Sequence, residues 1–330
     1  MTSTLRRLVG LVSLAAAALT AAPAHAYPYS SMVVFGDSLS DTGNVAIATG
    51  GAVPATPPYA PGRFSDGPIW VDVLATGLGL PMGAVPSLAG GTNYAFGGAR
   101  TGAGVSPVPG LLAQFGGLWA PANPLADANA LYVVVGGGND MRDARFAFPT
   151  DSLVDQAGRQ AAAEAAANNL FTVAAGLAAR GARHVLIGNL PDLGATPEAA
   201  LLGLTAASSD ATARYNALLA GFETGLEALF PALDVVLLDL FGLSNQIRDD
   251  AINNGGATYG ITNVGLPCGS FAGSAGDSCA TSLFSDALHP TSAAHAIVGA
   301  AALRAVPEPG VAWLALAGLA MLTLQRRRRT

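Results

Sequence analysis

The chain has 330 residues, no lysine and two cysteines, with 16 arginines against 22 acidic side chains. Six of the arginines lie close to the two ends, so residues 27–309 carry 10 arginines and a net charge of −12. This acidic balance argues against nucleic acid and anionic membranes as partners. The length of that part suits one large α/β domain better than two small ones.

Residues 1–26 have the pattern of a secretory signal peptide. Arg6 and Arg7 form a basic start, an apolar stretch follows, and Ala24-His25-Ala26 fits the small-residue cleavage pattern. The alternative, an N-terminal membrane anchor, is disfavoured because the apolar segment is short. We therefore predict cleavage after Ala26 and export of the remainder.

Five apolar runs rich in β-branched residues predict strands, at 31–36, 93–98, 130–137, 184–190 and 234–240. Helical patterns follow at about 151–180, about 208–229 and about 291–303, the second opening with Ser208, Ser209 and Asp210 as candidate N-caps. Alternating strands and helices predict a parallel sheet with helices on both faces. In such sheets, the active crevice lies beyond the carboxyl ends of the strands.

Two Gly/Pro-rich loops, 45–68 and 251–285, are long enough to form walls of a site rather than simple connections. Aromatic side chains in or beside these loops are candidates for contact with substrate, although packing is an equally good role for them: Tyr59, Phe64, Trp70 and Phe271.

Cys268 and Cys279 lie eleven residues apart in the second of these loops. In an oxidising compartment, a disulfide between them is expected, with two free thiols as the alternative. A metal site is disfavoured because no histidine stands near Cys268 at the spacing of a ligand.

The C-terminal segment, 306–330, combines Pro-Glu-Pro, an apolar stretch at 310–324 and four arginines at 326–329. This order resembles the PEP-CTERM sorting signal of exopolysaccharide-producing Gram-negative bacteria. The resemblance implies a transient membrane anchor and a sorting protease of the exosortase type as partner. The alternative is an ordinary C-terminal anchor, and the arginines would stay cytoplasmic in either case.

Polar and glycine residues cluster where the predicted strands end. Ser38 follows the first strand, Gly97 and Gly98 the second, and Asn139 the third, while Asp286 and His289 precede the last helix. A serine nucleophile needs a base within hydrogen-bond reach, and His289 oriented by Asp286 can supply it. The backbone N–H groups of Ser38 and Gly98 and the amide of Asn139 are candidate donors to an oxyanion.

These segments resemble the sequence blocks of the SGNH, or GDSL, hydrolases. The blocks are "GDSLSDTGN" with Ser38, "NYAFGGART" with Gly98 (or, one residue earlier, Gly97), "GGND" with Asn139 and "DALHP" with Asp286 and His289. The resemblance implies a hydrolase domain at 27–305 with the α/β/α sandwich of that family. Its parallel sheet would have five strands in flavodoxin-like order. It also implies ester hydrolysis without cofactor or metal.

The sequence thus predicts a monomeric serine esterase or lipase, exported to the periplasm, cell surface or extracellular matrix, whose partner is an ester of a lipid or an acylated sugar. An acyltransferase or a polysaccharide O-deacetylase could use the same residues. A surface or matrix protein on an inactive hydrolase scaffold is the non-enzyme alternative. The glycines at 136–138 do not indicate a nucleotide site, because no Lys-Ser/Thr follows them.

Overall fold

The computed structural model describes residues 29–306, so the predicted signal peptide and the predicted tail from residue 307 onward lie outside it. Four parallel strands form the central sheet in the order β1-β2-β3-β4. Their bounds are Met32–Gly36 (β1), Leu131–Val135 (β2), His184–Gly188 (β3) and Asp234–Leu238 (β4). Every residue of β1 and β2 is buried, as expected of apolar runs covered on both faces.

The register of the sheet brings the carboxyl ends of its strands to one edge. Met32 lies opposite Leu131, Leu131 opposite His184 and His184 opposite Asp234, so the strands also end level with one another. The turns that follow β1 and β2, with Ser38 and Asn139, therefore leave the sheet on the same side.

The predicted strand count of five is wrong for the described residues, which form a four-stranded central sheet. The segment 93–98 runs along the free edge of β1 but contributes only isolated bridges, from Asn93 to Val34 and to Pro86. Backbone bonds from Tyr94 to Val34 (2.7 Å) and from Phe96 to Gly36 (3.1 Å) hold it there. The ladder goes no further because the N–H of Gly36, which a bridge to Ala95 would need, donates to the side-chain oxygen of Gln114 at 2.9 Å instead.

Ten α-helices surround the sheets in the described part of the chain. They are Asn44–Ala48 (α1), Trp70–Leu78 (α2), Leu111–Ala113 (α3), Gly138–Ala147 (α4), Leu153–Ala178 (α5), Pro197–Leu201 (α6), Thr205–Leu219 (α7), Phe222–Leu229 (α8), Leu240–Asn254 (α9) and Ser292–Ala305 (α10). A π-helical turn, Gln114–Trp119, continues α3, and 3₁₀ turns occupy Pro81–Ala84, Ser87–Ala89, Leu193–Ala195 and Cys279–Thr281.

Helices cover both faces of the central sheet, which gives the three-layer α/β/α sandwich that the sequence predicts. On one face, Phe35, Val134 and Ile187 join a core shared with Ala163 and Leu170 of α5. On the other face, α10 packs against α2 and reaches β4. Alternate residues of each buried strand therefore serve two different apolar layers.

Two helical features depart from the sequence-based expectation. The predicted helix at 208–229 is two helices, and the first begins at Thr205 with Leu204 in the N-cap position. Asp210 therefore lies inside that helix, where its carboxylate binds Arg159 and Arg214. Residues 241–250, which the sequence pattern left unassigned, form most of α9, whose N-cap is Asp239 and which also takes the end of the predicted strand 234–240 and the start of the predicted loop 251–285.

The predicted loop 251–285 contains a second, two-stranded parallel sheet. Its strands are Asn263–Pro267 (β5) and Ser282–Phe284 (β6). A disulfide joins Cys268, directly after β5, to Cys279, shortly before β6. No helix between residues 29 and 306 has the length and apolar character needed to cross a membrane.

Candidate active site

Ser38 stands in a tight turn directly after β1, and it is not a helix N-cap, because the next helix begins at Asn44. The turn is closed by bonds from the N–H groups of Ser40 (3.0 Å) and Asp41 (2.9 Å) to the carbonyl of Asp37. The strand end itself is fixed by Gln114, whose amide donates to Gly36 O and accepts from Gly36 N–H. Ser38 is therefore presented by backbone that is bonded on both sides.

His289 and Asp286 lie in the turn between β6 and α10. The N–H groups of Leu288 (2.7 Å) and His289 (2.6 Å) both donate to Asp286 Oδ1, which closes this turn. The helix that follows is capped by Thr291, whose hydroxyl accepts from Ala294 N–H. The carboxylate of Asp286 therefore does not cap the helix.

The structure brings Ser38, His289 and Asp286 into one hydrogen-bonded line. His289 Nε2 lies 2.9 Å from Ser38 Oγ, and His289 Nδ1 lies 2.7 Å from Asp286 Oδ2. With the Nδ1 proton donated to the carboxylate, Nε2 is free to accept the serine proton. Such a line can deliver a serine oxygen to an electrophilic carbon while the histidine removes the proton.

The candidate oxyanion donors differ in whether their hydrogen atoms are already used. The N–H of Gly97 donates to Asp41 Oδ2 at 2.8 Å. No hydrogen bond joins the N–H of Ser38 or of Gly98 to another residue in the range 29–306. Gly98 has φ of +82°, which an L side chain rarely adopts, and the space that a Cβ would fill is open. Gly98 therefore suits the donor role better than Gly97.

Asn139 lies in the first turn of α4, and both ends of its amide are oriented by neighbours. Its Nδ2 donates to Ala99 O at 2.9 Å, and its Oδ1 accepts from Arg142 Nη1 at 3.2 Å. The second hydrogen of Nδ2 remains available to a ligand. The helix can start here because Gly137, with φ of +102°, makes the turn out of β2, where a Cβ would strike the ring of Tyr215.

Two carboxylates beside the line are shifted in opposite directions. Burial raises the pKa of Asp286, but the hydrogen bonds and charge of His289, together with the hydroxyl of Tyr59, outweigh it and hold this pKa well below its usual range. For Asp37, burial dominates and raises the pKa to about 6, against one backbone bond from Leu39 and the charge of His289. Asp286 is consequently a carboxylate at neutral pH, whereas Asp37, with a pKa of about 6, becomes protonated slightly below neutral pH.

Ser65 and Asp66, to which the sequence pattern assigns no role, join the loop 45–68 to the histidine turn. Asp66 Oδ1 accepts from Ser285 Oγ (2.9 Å) and from Ser292 N–H (2.7 Å), on either side of His289. Ser65 Oγ donates to Pro290 O at 2.9 Å. A polar loop ("GRFSDG") that precedes a helix gives little sign in sequence of partners more than 200 residues away.

A pocket opens beside Ser38, His289 and Asn139. Most of the side chains around it are apolar and come from β6, α9, α10 and the segment after β3, including Leu190, Leu193, Leu243, Ile247, Phe284 and Val298. Arg142 and Arg248 also line it. His295, deeper in the fold, is neutral at ordinary pH because burial lowers its pKa to about 3.

Of the four aromatic residues proposed from sequence as substrate contacts, Trp70 lines this pocket. The other three lie around the His289 turn instead. The ring of Phe64 is 5.4 Å from that of His289, and Tyr59 donates its hydroxyl to Asp286 Oδ2 at 2.5 Å. Phe271 packs against Tyr59. Within residues 29–306, no cluster of three or more histidine, cysteine or acidic side chains has the arrangement of a metal site.

The sequence model of the GDSL-like lipase/acylhydrolase family matches residues 32–302. Phosphatidylcholine-sterol acyltransferase of Aeromonas hydrophila is 32% identical over 232 residues, which cover 68% of this chain and 63% of that protein. Esterase EstA of Pseudomonas aeruginosa is 29% identical over 321 residues, covering 83% of this chain and 46% of that protein. The chain thus spans about half to two thirds of the length of these relatives.

Among solved structures, a member of the lipolytic G-D-S-L family from Veillonella parvula is similar, at 16% identity and a TM-score of 0.41. The match covers 83% of this chain and 96% of that one. The family match extends from the first residue of β1 into α10 and so includes every strand end described above. On the strength of that match, the chain belongs to the GDSL-like lipase/acylhydrolase family.

Proposed function

We propose that this protein is a serine esterase or lipase that hydrolyses carboxylic esters. The observation that carries the proposal is the line Ser38 Oγ–His289 Nε2 (2.9 Å) and His289 Nδ1–Asp286 Oδ2 (2.7 Å). Membership of a family of lipases and acylhydrolases supports the same reaction class. The oxyanion donors of the proposal are the N–H groups of Ser38 and Gly98 and the amide of Asn139.

In the proposed reaction, Ser38 Oγ attacks the ester carbonyl while His289 Nε2 takes the hydroxyl proton. The carbonyl oxygen becomes negative and is held by the three donors, each of which is typically worth about 10²–10³ in turnover. The histidine then gives its proton to the departing alcohol. Water, activated by the same nitrogen, attacks the acyl-enzyme and restores the serine.

The pocket beside Ser38 favours an apolar acyl group. Leu243, Ile247 and Phe284 are among its walls, and the one histidine at its depth, His295, is uncharged. Burying each CH₂ of an acyl chain against such walls contributes about 0.8 kcal/mol. We therefore expect activity to rise from acetate to longer acyl groups until the pocket is filled.

The test is hydrolysis of p-nitrophenyl esters from acetate to palmitate by the full chain, exported so that its cysteines can oxidise. Ser38→Ala should lower kcat by about 10⁴–10⁶-fold, because the attacking oxygen is lost. The matched control is Ser278→Ala, which removes the serine of the second Gly-Asp-Ser of the chain, in an exposed loop. Equal activity of wild type and Ser38→Ala, with both folded, would refute the proposal.

Acyl transfer is the second candidate, and the similarity to a protein named phosphatidylcholine-sterol acyltransferase favours it. It uses the same acyl-enzyme, with an alcohol in place of water in the second half of the reaction. Adding a sterol or a sugar acceptor to the ester assay distinguishes the two: a transferase yields the new ester, whereas a hydrolase yields free acid. Release of acetate from an acetylated polysaccharide would identify an O-deacetylase.

We further propose that the chain is exported and handled at the membrane through its tail. The proposal rests on the signal-peptide pattern of 1–26 and on the Pro-Glu-Pro, apolar and arginine segments of 306–330. The mass of the chain recovered from outside the cytoplasm tests it. Loss of both segments supports removal by a sorting protease, and a retained tail supports a simple anchor.

A further inference from the structure

The carboxylate of Asp286 receives four hydrogen bonds, and one of them comes from a distant loop. Oδ1 accepts the backbone N–H groups of Leu288 and His289. Oδ2 accepts His289 Nδ1 at 2.7 Å and also Tyr59 Oη at 2.5 Å. The hydroxyl of Tyr59 therefore shares a single oxygen with the candidate catalytic histidine, from 227 positions earlier in the chain.

The ring of Tyr59 is fixed by two other aromatic side chains. Phe271 meets it edge-on with ring centres 4.9 Å apart, and Phe64 lies 6.4 Å away on another side. Tyr59 is absent from the walls of the pocket beside Ser38, so its contacts are with the protein and not with the substrate cavity.

Phe271 is held by the segment that the disulfide closes. It is buried, and its N–H donates to the carbonyl of Cys268 at 3.1 Å. The N–H of Cys268 in turn donates to the carbonyl of Ser285, the residue before Asp286. The bond between Cys268 and Cys279 thus restrains both the ring beside Tyr59 and the backbone beside the carboxylate.

We propose that Tyr59 is a positioning residue for Asp286 and His289, and that the disulfide-closed loop 268–279 keeps it in place through Phe271. The inference rests on the proposed function, since it assigns a role beside the same catalytic line. The hydroxyl fixes the rotation of the carboxylate and withdraws negative charge from the oxygen that His289 uses. Without it, Asp286 stabilises a protonated histidine more strongly but holds it less precisely.

Other ionisable groups also face His289 and must be the same in each variant compared. Charge interactions link the histidine to Asp37 on the turn after β1, to Asp286 on its own turn and to His295 on α10, while Asp66 and Asp72 act on His295. Replacing Tyr59 by phenylalanine leaves all of these in place, so that only the hydroxyl is removed.

The experiment compares the full-length wild type with Tyr59→Phe and with Tyr132→Phe as the matched control. Tyr132 is a buried tyrosine at the amino end of β2, away from the candidate site. Its hydroxyl donates to Asp127 O at 3.2 Å. For Tyr59→Phe, we expect kcat to fall about 10-fold, the size typical of one lost hydrogen bond to a charged group. KM should stay unchanged, and the acid limb of the kcat/KM profile should move to higher pH.

Two further variants test the part played by the loop. Phe271→Leu keeps an apolar side chain but loses the ring contact, and Cys268→Ala/Cys279→Ala opens the loop. Both should lower kcat in the same direction as Tyr59→Phe but by less. When either change is combined with Tyr59→Phe, the loss of kcat should be smaller than the product of the two separate losses, because residues that act through one contact are not independent.

The positioning role is overturned if Tyr59→Phe matches wild type and Tyr132→Phe in kcat and in pH profile, or if KM rises while kcat is unchanged. Should the wild type hydrolyse no ester, the proposed function fails, and the low-field proton resonance of the His289–Asp286 hydrogen bond provides a separate measure. A resonance that moves in Tyr59→Phe and not in Tyr132→Phe supports the role, and one that moves in neither overturns it.

Discussion

The two halves of the candidate site are built differently. Ser38 follows a fully buried strand of the central sheet, and Gln114 and Asp41 hold its neighbourhood through bonds to backbone groups. Asp286 and His289 follow β6, a three-residue strand of the small sheet. The serine is thus placed by the main chain of the core, and the histidine by a turn outside it.

The histidine turn depends on side chains that come from far away in sequence. Tyr59 and Asp66 reach it from the loop 45–68, while the disulfide restrains it from the other side. Bonds between side chains can be removed one at a time without disrupting a sheet. We therefore expect substitutions around Ser38 to act mainly on folding stability, and substitutions around His289 mainly on turnover.

The largest effect on stability is expected for Asp41→Asn. Asp41 is fully buried, and its two carboxylate oxygens accept the backbone N–H groups of Gly43, Asn44, Val45 and Gly97. An asparagine would turn an NH₂ group toward two of these donors, at a cost of about 2–4 kcal/mol. Urea unfolding measures it, with the exposed Asp127→Asn as control. Equal losses of unfolding free energy in the two variants would contradict the view that substitutions around Ser38 act mainly on stability.

A smaller effect of opposite sign is expected for Asp37→Asn. Burial raises the pKa of Asp37 from its ordinary 3.8 to about 6 in the folded chain. The folded state therefore binds the proton more tightly, and stability is lost as pH rises from about 4 to about 6. Above that range, Asp37→Asn should be more stable than wild type by about 1–3 kcal/mol. Urea unfolding at several pH values measures the difference, and a difference independent of pH would contradict this account.

The smallest change in the free energy of unfolding is expected for Asp66→Asn. The main effect of this substitution should be on turnover. The substitution weakens the bonds from Ser285 and Ser292 that bracket His289. We expect kcat to fall about 10-fold, the usual consequence of one charge-assisted bond, with little change in the urea midpoint. Asp277→Asn, on the exposed part of the disulfide loop, is the control. A large loss of stability in Asp66→Asn with unchanged kcat would contradict the view that substitutions around His289 act mainly on turnover.

Much of the fold follows from local pattern. The runs around β1, β2, β3 and β4 are continuous and apolar because both faces of these strands are covered, and all four were predicted. Residues 93–98 look similar in sequence but form only isolated bridges, from Asn93 to Val34 and to Pro86. The N–H of Gly36 donates to the side chain of Gln114 and not to this segment, and that pairing depends on tertiary contacts.

The residues at the ends of the main strands can be read from the local sequence. Ser38 and Asn139 could be named because a candidate nucleophile and a candidate oxyanion donor directly follow apolar runs, and Asp286 and His289 because an acid and a base stand together just before the last predicted helix. Asp286 and His289 follow β6 of the small sheet, but strand ends meet in any one parallel sheet, so the approach of Ser38 to Asn139 could also be predicted. These inferences need only neighbours in sequence and one rule of topology.

The groups that support those residues depend on contacts between distant parts of the fold. Gly97 and Gly98 are equivalent in sequence, and they differ because Asp41 takes the N–H of one of them. Tyr59 was equally suited to a pocket wall, but it donates to Asp286 across 227 positions. Hydrogen bonds between distant loops leave no periodicity in a sequence, because they depend on how the chain packs and not on the residues beside them.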